Sequence, residues 1–211
     1  MKIVCDSAKL SKACMNVQRT VSSKSTIPAI EGILISALSD SVKLTGYDLE
    51  VGSETFIAAE VQENGSIILN ARNLCDILRM VPDDTVSIES DDRNICRITS
   101  GEVQYSIIGT SAEEYPDIPE VSAGFPIVIN QALLKDMIRK TIFSVSTSER
   151  NPVHSGVRFE ISDGKIVLVA VDGARLAVRR EDIDYSGDEV AFVVPSKTLG
   201  EVIKLSDNDE G

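Results

Sequence analysis

The chain has 211 residues, 43% hydrophobic and 26% charged, enough for one large domain or two ordinary ones with a proper core. No apolar run approaches the ~18 residues of a membrane span, and the opening MKIVCDSAKL meets Asp6 after three apolar residues, so it reads as cytoplasmic rather than exported. A formal net charge of −12 argues at first sight against nucleic acid, and a single His with Cys5, Cys14, Cys75 and Cys96 in no CxxC pair argues for buried, reduced thiols rather than zinc.

In chain order, Lys2 to Cys5 reads as a short strand. Leu10, Ala13, Cys14, Val17 and Val21 then mark one helical face, with Ser7 as its cap. Gly32 to Leu38 and Val42 to Thr45 alternate as strands about a Ser39-Asp40 turn. A second strand–helix begins at Ser66, and its helix stops before Pro82. Strands at Ile95 to Thr99 and Val103 to Ile108 turn at Ser100-Gly101. YPDIPEVSAGFP, Tyr115 to Pro126, carries three prolines without period and reads as a linker. Ile127 to Ile129 opens as a strand again. Asn130 then caps a helix with Leu133, Leu134, Met137, Ile138 and Ile142 on one face. Further on, VAVDGARLAV, Val169 to Val178, is an apolar strand interrupted by Asp172-Gly173-Ala174-Arg175. Alone, that interruption reads as an Asp-Gly hairpin turn.

A repeat organises these elements. Leu10 and Lys12 recur as Leu133 and Lys135. Pro28, Gly32 and Asp48 recur 124 residues later as Pro152, Gly156 and Asp172, and LNARNLCDIL recurs as VPSKTLGEVI. Anchors in unchanged order at so long a period indicate tandem domains, spanning 1–122 and 123–211. Each copy reads as a β-α-β-β-β unit repeated twice. Partners for residues 87 to 122 would fall near 212 to 246, so the second copy is expected to be incomplete.

Four helical windows, 7–20, 71–81, 130–144 and 196–205, hold ten bases: Lys9, Lys12, Arg19, Arg72, Arg79, Lys135, Arg139, Lys140, Lys197 and Lys204. Their only acids are Asp76, Asp136 and Glu201, so the windows carry +7 and the rest of the chain −19. Glu forms helices as readily as Lys, so solvated helix faces would carry both. The imbalance instead fits helices that share a surface facing a polyanion. Bases without interleaved aromatics suit phosphate contact rather than base readout.

TIPAIEGILI, LTGYDLEVG, YPDIPE and above all VDGARLAV resemble the bacterial beta sliding clamp family, the processivity subunit of DNA polymerase III, along the whole chain. The resemblance implies an α+β DNA-clamp fold, with helices on the inner face and antiparallel sheets outside. It also implies a three-domain, head-to-tail homodimeric ring around duplex DNA, whose third domain is absent from this chain. The expected partners are double-stranded DNA without sequence preference, the polymerase alpha subunit, the clamp loader and other proteins carrying clamp-binding peptides.

By the same resemblance, Val171, Gly173, Ala174, Arg175 and Leu176 form one wall of a peptide pocket, with His154 from the neighbouring strand. Leu176 would offer the apolar surface, and Arg175 its stem and its donors. His154 stands where an aliphatic residue is frequent and Ala174 where a His is common, which leaves the polarity of this wall open. Lys24 and, less strongly, Arg150 match basic loop positions near the hole, while Pro152 and Val153 replace neighbouring aromatics. Tyr105 and Ile107 lie on the strand at the ring's rim, the implied dimer interface. No cofactor, metal or catalytic residue is expected. The acidic pairs Asp83-Asp84, Asp91-Asp92 and Glu113-Glu114 and the run Asp207 to Glu210 sit at turns or at the end, unlike an acid–base dyad. The competing reading is a peptide-binding module without DNA encirclement.

Overall fold

The computed structural model describes residues 1–119, 126–148 and 152–206. The chain divides into two compact units, Met1–Glu120 and Val121–Gly211.

In unit 1, β1 (Lys2–Asp6) leads into α1 (Ser7–Val17), then β2 (Gly32–Leu38), β3 (Ser41–Tyr47), β4 (Gly52–Ala58) and β5 (Glu60–Glu63). The second half follows as β6 (Gly65–Asn70), α2 (Ala71–Leu78), β7 (Thr85–Ser90), β8 (Ile95–Ser100), β9 (Val103–Ile108) and β10 (Thr110–Ser111). The β-α-β-β-β order is therefore present twice, each time followed by one more short strand, and each half lends two strands to the other. One sheet runs β5-β1-β7-β8-β9 and the other β10-β6-β2-β3-β4. All the pairings are antiparallel.

The chain passes directly from one sheet to the other at Ala59, Asn64 and Gly109. A Cβ at Gly109 would lie 2.7 Å from both Ile67 Cδ1 and Ile68 O, so the crossing needs a residue without a side chain. Alternation along β2 and β3 turns Ile33, Ile35, Val42 and Leu44 inward, where they meet Ile3, Leu10, Leu69, Leu74, Ile88 and Ile98 in one core. Each such side chain contributes roughly 1.5–3 kcal/mol on burial. All four cysteines are buried and free. Burial pushes the thiols of Cys5 and Cys75 up to about 11 and that of Cys96 to about 12, which leaves them protonated and inert at neutral pH.

Unit 2 has α3 (Gln131–Arg139), β11 (Gly156–Ser162), β12 (Lys165–Val171), β13 (Leu176–Asp182), β14 (Val190–Pro195) and α4 (Ser196–Ser206). Its strands form one antiparallel sheet, β13-β12-β11-β14. Met137, Ile138, Val157, Phe159, Ile161, Ile166, Leu168 and Leu199 form its core. In each unit the two helices pack on one another, α1 on α2 and α3 on α4.

Three local expectations change. The cap of α1 is Asp6, whose Oδ1 accepts from the Lys9 N–H at 2.8 Å, while Ser7 enters the helix and donates its hydroxyl to Asp83 O at 2.7 Å. The β8–β9 turn is Gly101-Glu102, one residue later than expected, because Ser100 pairs with Val103. Ile127 to Ile129 forms no strand. Its counterpart β1 is held between β5 and β7, and unit 2 has no counterpart of either ladder among the described residues. Half-burial of Ile127 and Ile129 keeps the alternation visible without the hydrogen bonds.

Candidate functional site

The first candidate surface is basic. On α1, Leu10, Ala13, Cys14 and Val17 face the core, which leaves Lys9 and Lys12 exposed. Arg19 is exposed on the 3-10 turn Gln18–Thr20 that follows. No acid lies in this stretch. On the second helix, Arg72 and Arg79 are exposed and share Asp76, with Arg79 Nη1 at 3.0 Å and Arg72 Nε at 3.9 Å. Gln18, Ser22, Ser23, Asn70, Arg72 and Arg79 lie around one surface cleft. Lys24 is exposed on the loop above, and its carbonyl accepts from the Ser22 hydroxyl at 3.1 Å.

In unit 2, Lys135 is half-buried, and Arg139, Lys140 and Lys197 are exposed. Lys140 Nζ reaches Asp136 Oδ2 at 2.8 Å, and Lys204 Nζ meets Glu201 Oε1 at 2.5 Å. The Lys140 hydrogen bond holds the Asp136 carboxyl below the usual carboxylate range. Each helical acid thus sits beside a helical base. Such exposed pairs are screened by solvent, so they temper the local field without removing the excess of bases. Arg150 lies outside the described residues. Pro152 and Val153 are exposed on the 3-10 turn Pro152–Ser155, Val153 at 69%.

The second candidate is the turn between β12 and β13. Val171 pairs with Leu176 across it. Asp172 Oδ1 accepts from the N–H groups of Ala174 (3.0 Å) and Arg175 (2.8 Å). Its Oδ2 accepts from Arg175 Nε at 2.7 Å and Nη2 at 2.6 Å. These bonds, led by the Ala174 amide, pull the Asp172 carboxyl down to about 2. Gly173 takes φ +91°, a left-handed value that suits glycine. The turn leaves Leu176 67% exposed at the head of an edge strand, although it is a large aliphatic side chain.

The expected wall is therefore brought together at one hairpin, with two changes. His154 comes from the 3-10 turn before β11, not from a strand. It is half-buried, and its carbonyl accepts from the Ser146 N–H at 2.7 Å. It stays at this end of the sheet because antiparallel β11 begins where β12 ends. The Arg175 guanidinium directs its Nε–H and one Nη2–H at Asp172, so only the outer Nη1 and Nη2 hydrogens face away from that carboxylate. Asp172 is the residue that sequence reasoning did not place in the site. An acid followed three positions later by Arg across Asp-Gly was the available signal.

The unit 1 hairpin at Asp48 has the same frame. Asp48 Oδ1 accepts from the N–H groups of Glu50 (3.0 Å) and Val51 (2.7 Å), and Tyr47 pairs with Gly52 as Val171 pairs with Leu176. Elsewhere in unit 1, Tyr105 and Ile107 are half-buried against the core of their own unit. On the opposite face of edge strand β9, Ile108 is 83% exposed. Asp91 closes the β7–β8 loop by accepting from the N–H groups of Arg93 and Ile95, both at 2.9 Å, a structural use of that acid.

Residues 1–119 match the family model described as the DNA polymerase III beta subunit, N-terminal domain, and residues 128–211 match its central domain. The beta sliding clamp of Halalkalibacterium halodurans is 37% identical over 206 residues, covering 92% of this chain and 54% of that protein. The crystal structure of the DNA polymerase sliding clamp from Bacillus subtilis superposes with a TM-score of 0.96 at 34% identity, over 100% of this chain and 58% of that one. A Pseudomonas aeruginosa sliding clamp bound to griselimycin superposes with a TM-score of 0.91 at 26% identity, over 100% of this chain and 58% of that one. The chain thus spans somewhat more than half the length of these relatives. Its two matched domains, in order and each on its own repeat, place it in the DNA polymerase III beta subunit, or beta sliding clamp, family.

Proposed function

We propose that this chain supplies the first and central domains of a replicative processivity clamp, a ring that surrounds duplex DNA and tethers polymerase and other factors to it. In this reading a third domain completes each protomer, and two protomers close head to tail. The observation that carries the reading is the sorting of charge within each unit. The exposed sides of the helices hold the bases, with only Asp76, Asp136 and Glu201 among them, in a chain of net charge −12. A sliding ring must hold DNA without fixing a position on it. A sparse basic lining gives attraction that is independent of sequence and weakened by salt, and each phosphate contact exchanges for the next. The carboxylates on strands and turns discourage DNA from the other faces.

The proposed DNA-facing bases are Lys9, Lys12, Arg19, Lys24, Arg72, Arg79, Lys135, Arg139, Lys140, Arg150 and Lys197. Neutralising Lys12, Arg19, Lys135 and Arg139 in the ring-forming protein is expected to reduce retention on nicked circular DNA while peptide binding survives. Unchanged retention would remove these helices from the lining.

The exposed Leu176 supports a second role within the same reading, as the docking wall for short peptides of the polymerase alpha subunit, the clamp loader and similar partners. Burying it fully under a peptide side chain is worth about 1.5–3 kcal/mol. That a family member is known bound to griselimycin supports a ligand-accepting surface in the family. Leu176→Asp is expected to abolish peptide docking and leave DNA encirclement intact. Loss of folding in that variant would show the hairpin to be structural only.

A further inference from the structure

We propose that Asp172 is a positioning residue of the docking turn, which fixes Arg175 across the hairpin and cancels its charge so that Leu176 is presented beside a neutral rim. The inference rests on the peptide-docking reading given above. Its geometry is a carboxylate used on both oxygens, Oδ1 on two backbone amides and Oδ2 on the Nε and Nη2 edge of Arg175. The Asp172 side chain is 15% exposed and that of Arg175 59%, so the pair lies at the surface with the carboxylate beneath.

Unit 1 separates the two tasks. Asp48 makes the same two amide bonds in a hairpin of the same register, yet Val51 stands where unit 2 has Arg175. The turn therefore forms with a valine at the place of Arg175, and the local Asp172–Arg175 pair is not a requirement of its backbone frame. A freed guanidinium would be mobile on its long stem and would draw acidic segments to this rim by charge. A paired one offers a stiff, charge-balanced shelf, and recognition falls to the apolar anchor. This predicts docking that is insensitive to salt and to charge in the partner, in contrast to the salt-sensitive helices.

The test uses the full chain with methyl-labelled leucine and two short capped peptides. Each peptide carries one Leu and one Phe; one is flanked by glutamines, the other by glutamates. With the wild type, both are expected to shift the Leu176 methyls saturably, with affinities within about twofold of each other at low and high salt. Asp172→Asn keeps an acceptor for the two amides and releases Arg175. It should favour the glutamate peptide by roughly two- to fivefold at low salt, the range of an exposed charge pair, and lose that preference at high salt. Asp172→Ala should weaken both peptides, with the amide spectrum of the β11–β14 sheet reporting that the unit is folded. If Asp172→Asn binds both peptides as the wild type does at either salt, the positioning role is refuted and the docking reading stands. If neither peptide shifts Leu176 in the wild type, the docking reading fails and the inference falls with it.

Discussion

The hairpins at Asp48 and Asp172 start from the same frame and end with opposite surfaces. In both, an aspartate carboxylate accepts two backbone amides, and the flanking strands pair in the same register. At the first position of β13 stands Leu176, 67% exposed, and at the first position of β4 stands Gly52. A Cβ on Gly52 would meet Ile118 Cδ1 at 3.2 Å and Tyr47 Cδ2 at 3.5 Å. Unit 1 therefore fills this place from its own following segment. There Tyr115 and Tyr47 join Ala29 and Ile68 in a small core, with Ile118 packed on it, and the Tyr115 hydroxyl donates to Thr45 O at 3.3 Å. Duplication supplied one scaffold. Gly52 and Leu176 mark the rim position at which its two copies differ.

Removing the seal is the severest way to break this comparison. Tyr115→Ala is expected to cost unit 1 about 3–4 kcal/mol, as for other large aromatics cut from a core, read from urea unfolding followed by amide signals of unit 1. Unit 2 signals should keep their midpoint. Gly52→Leu grafts the unit 2 residue onto unit 1 and is expected to cost about 1–3 kcal/mol, since Ile118 must move. A neutral outcome there would mean that Ile118 does not seal the site.

The tips of the turns sharpen the contrast further. Leu49 sits at φ +75° where unit 2 has Gly173 at φ +91°. Gly173→Leu should destabilise unit 2 by about 1–2 kcal/mol through left-handed strain. Leu49→Gly should change unit 1 by only about 0.5 kcal/mol, because strain relief is offset by the added freedom of the unfolded chain. Smallest is the effect of acid. The folded Asp172 carboxyl titrates at about 2, below the ~3.9 of an unfolded aspartate, so its contribution is complete above that unfolded value. It is lost as pH falls from about 4 through 2. Exchange protection of the Ala174 and Arg175 amides should decline in that window and stay constant from pH 5 to 8.

Much of this contrast was legible in the residues. Asp48 and Asp172 stand 124 positions apart between apolar runs, and the Asp-Gly pair announces the turn. Helix faces were equally plain, because Leu10, Cys14 and Val17 on α1 and Leu134, Met137 and Ile138 on α3 recur at helical spacing. The seal was not legible. Ile118 lies in a proline-rich stretch that reads as linker, and nothing local shows that it packs 66 positions back on Gly52. Nor could alternation at Ile127 to Ile129 reveal whether a ladder partner exists, since a strand is defined by what lies beside it. Asp6 and Ser7 are both good caps, and only the Asp83 carbonyl that takes the Ser7 hydroxyl decides between them. Tyr105 and Ile107 show the same limit, because period two identifies a face but not whether that face meets its own core.

The exchange of strands within unit 1 constrains how that unit comes into being. β1 can be completed only when β7, some 80 positions later, has arrived, since Lys2 pairs with Glu89 and Asp6 with Thr85. Neither half can close its own sheet, so the nascent N-terminus must wait, with Ile3 unprotected, until most of the unit has been synthesised. Contacts so distant in sequence slow the search for the native state. Cutting the chain at Asn64, between β5 and β6, should yield two pieces that are unstructured apart and regain order only on mixing.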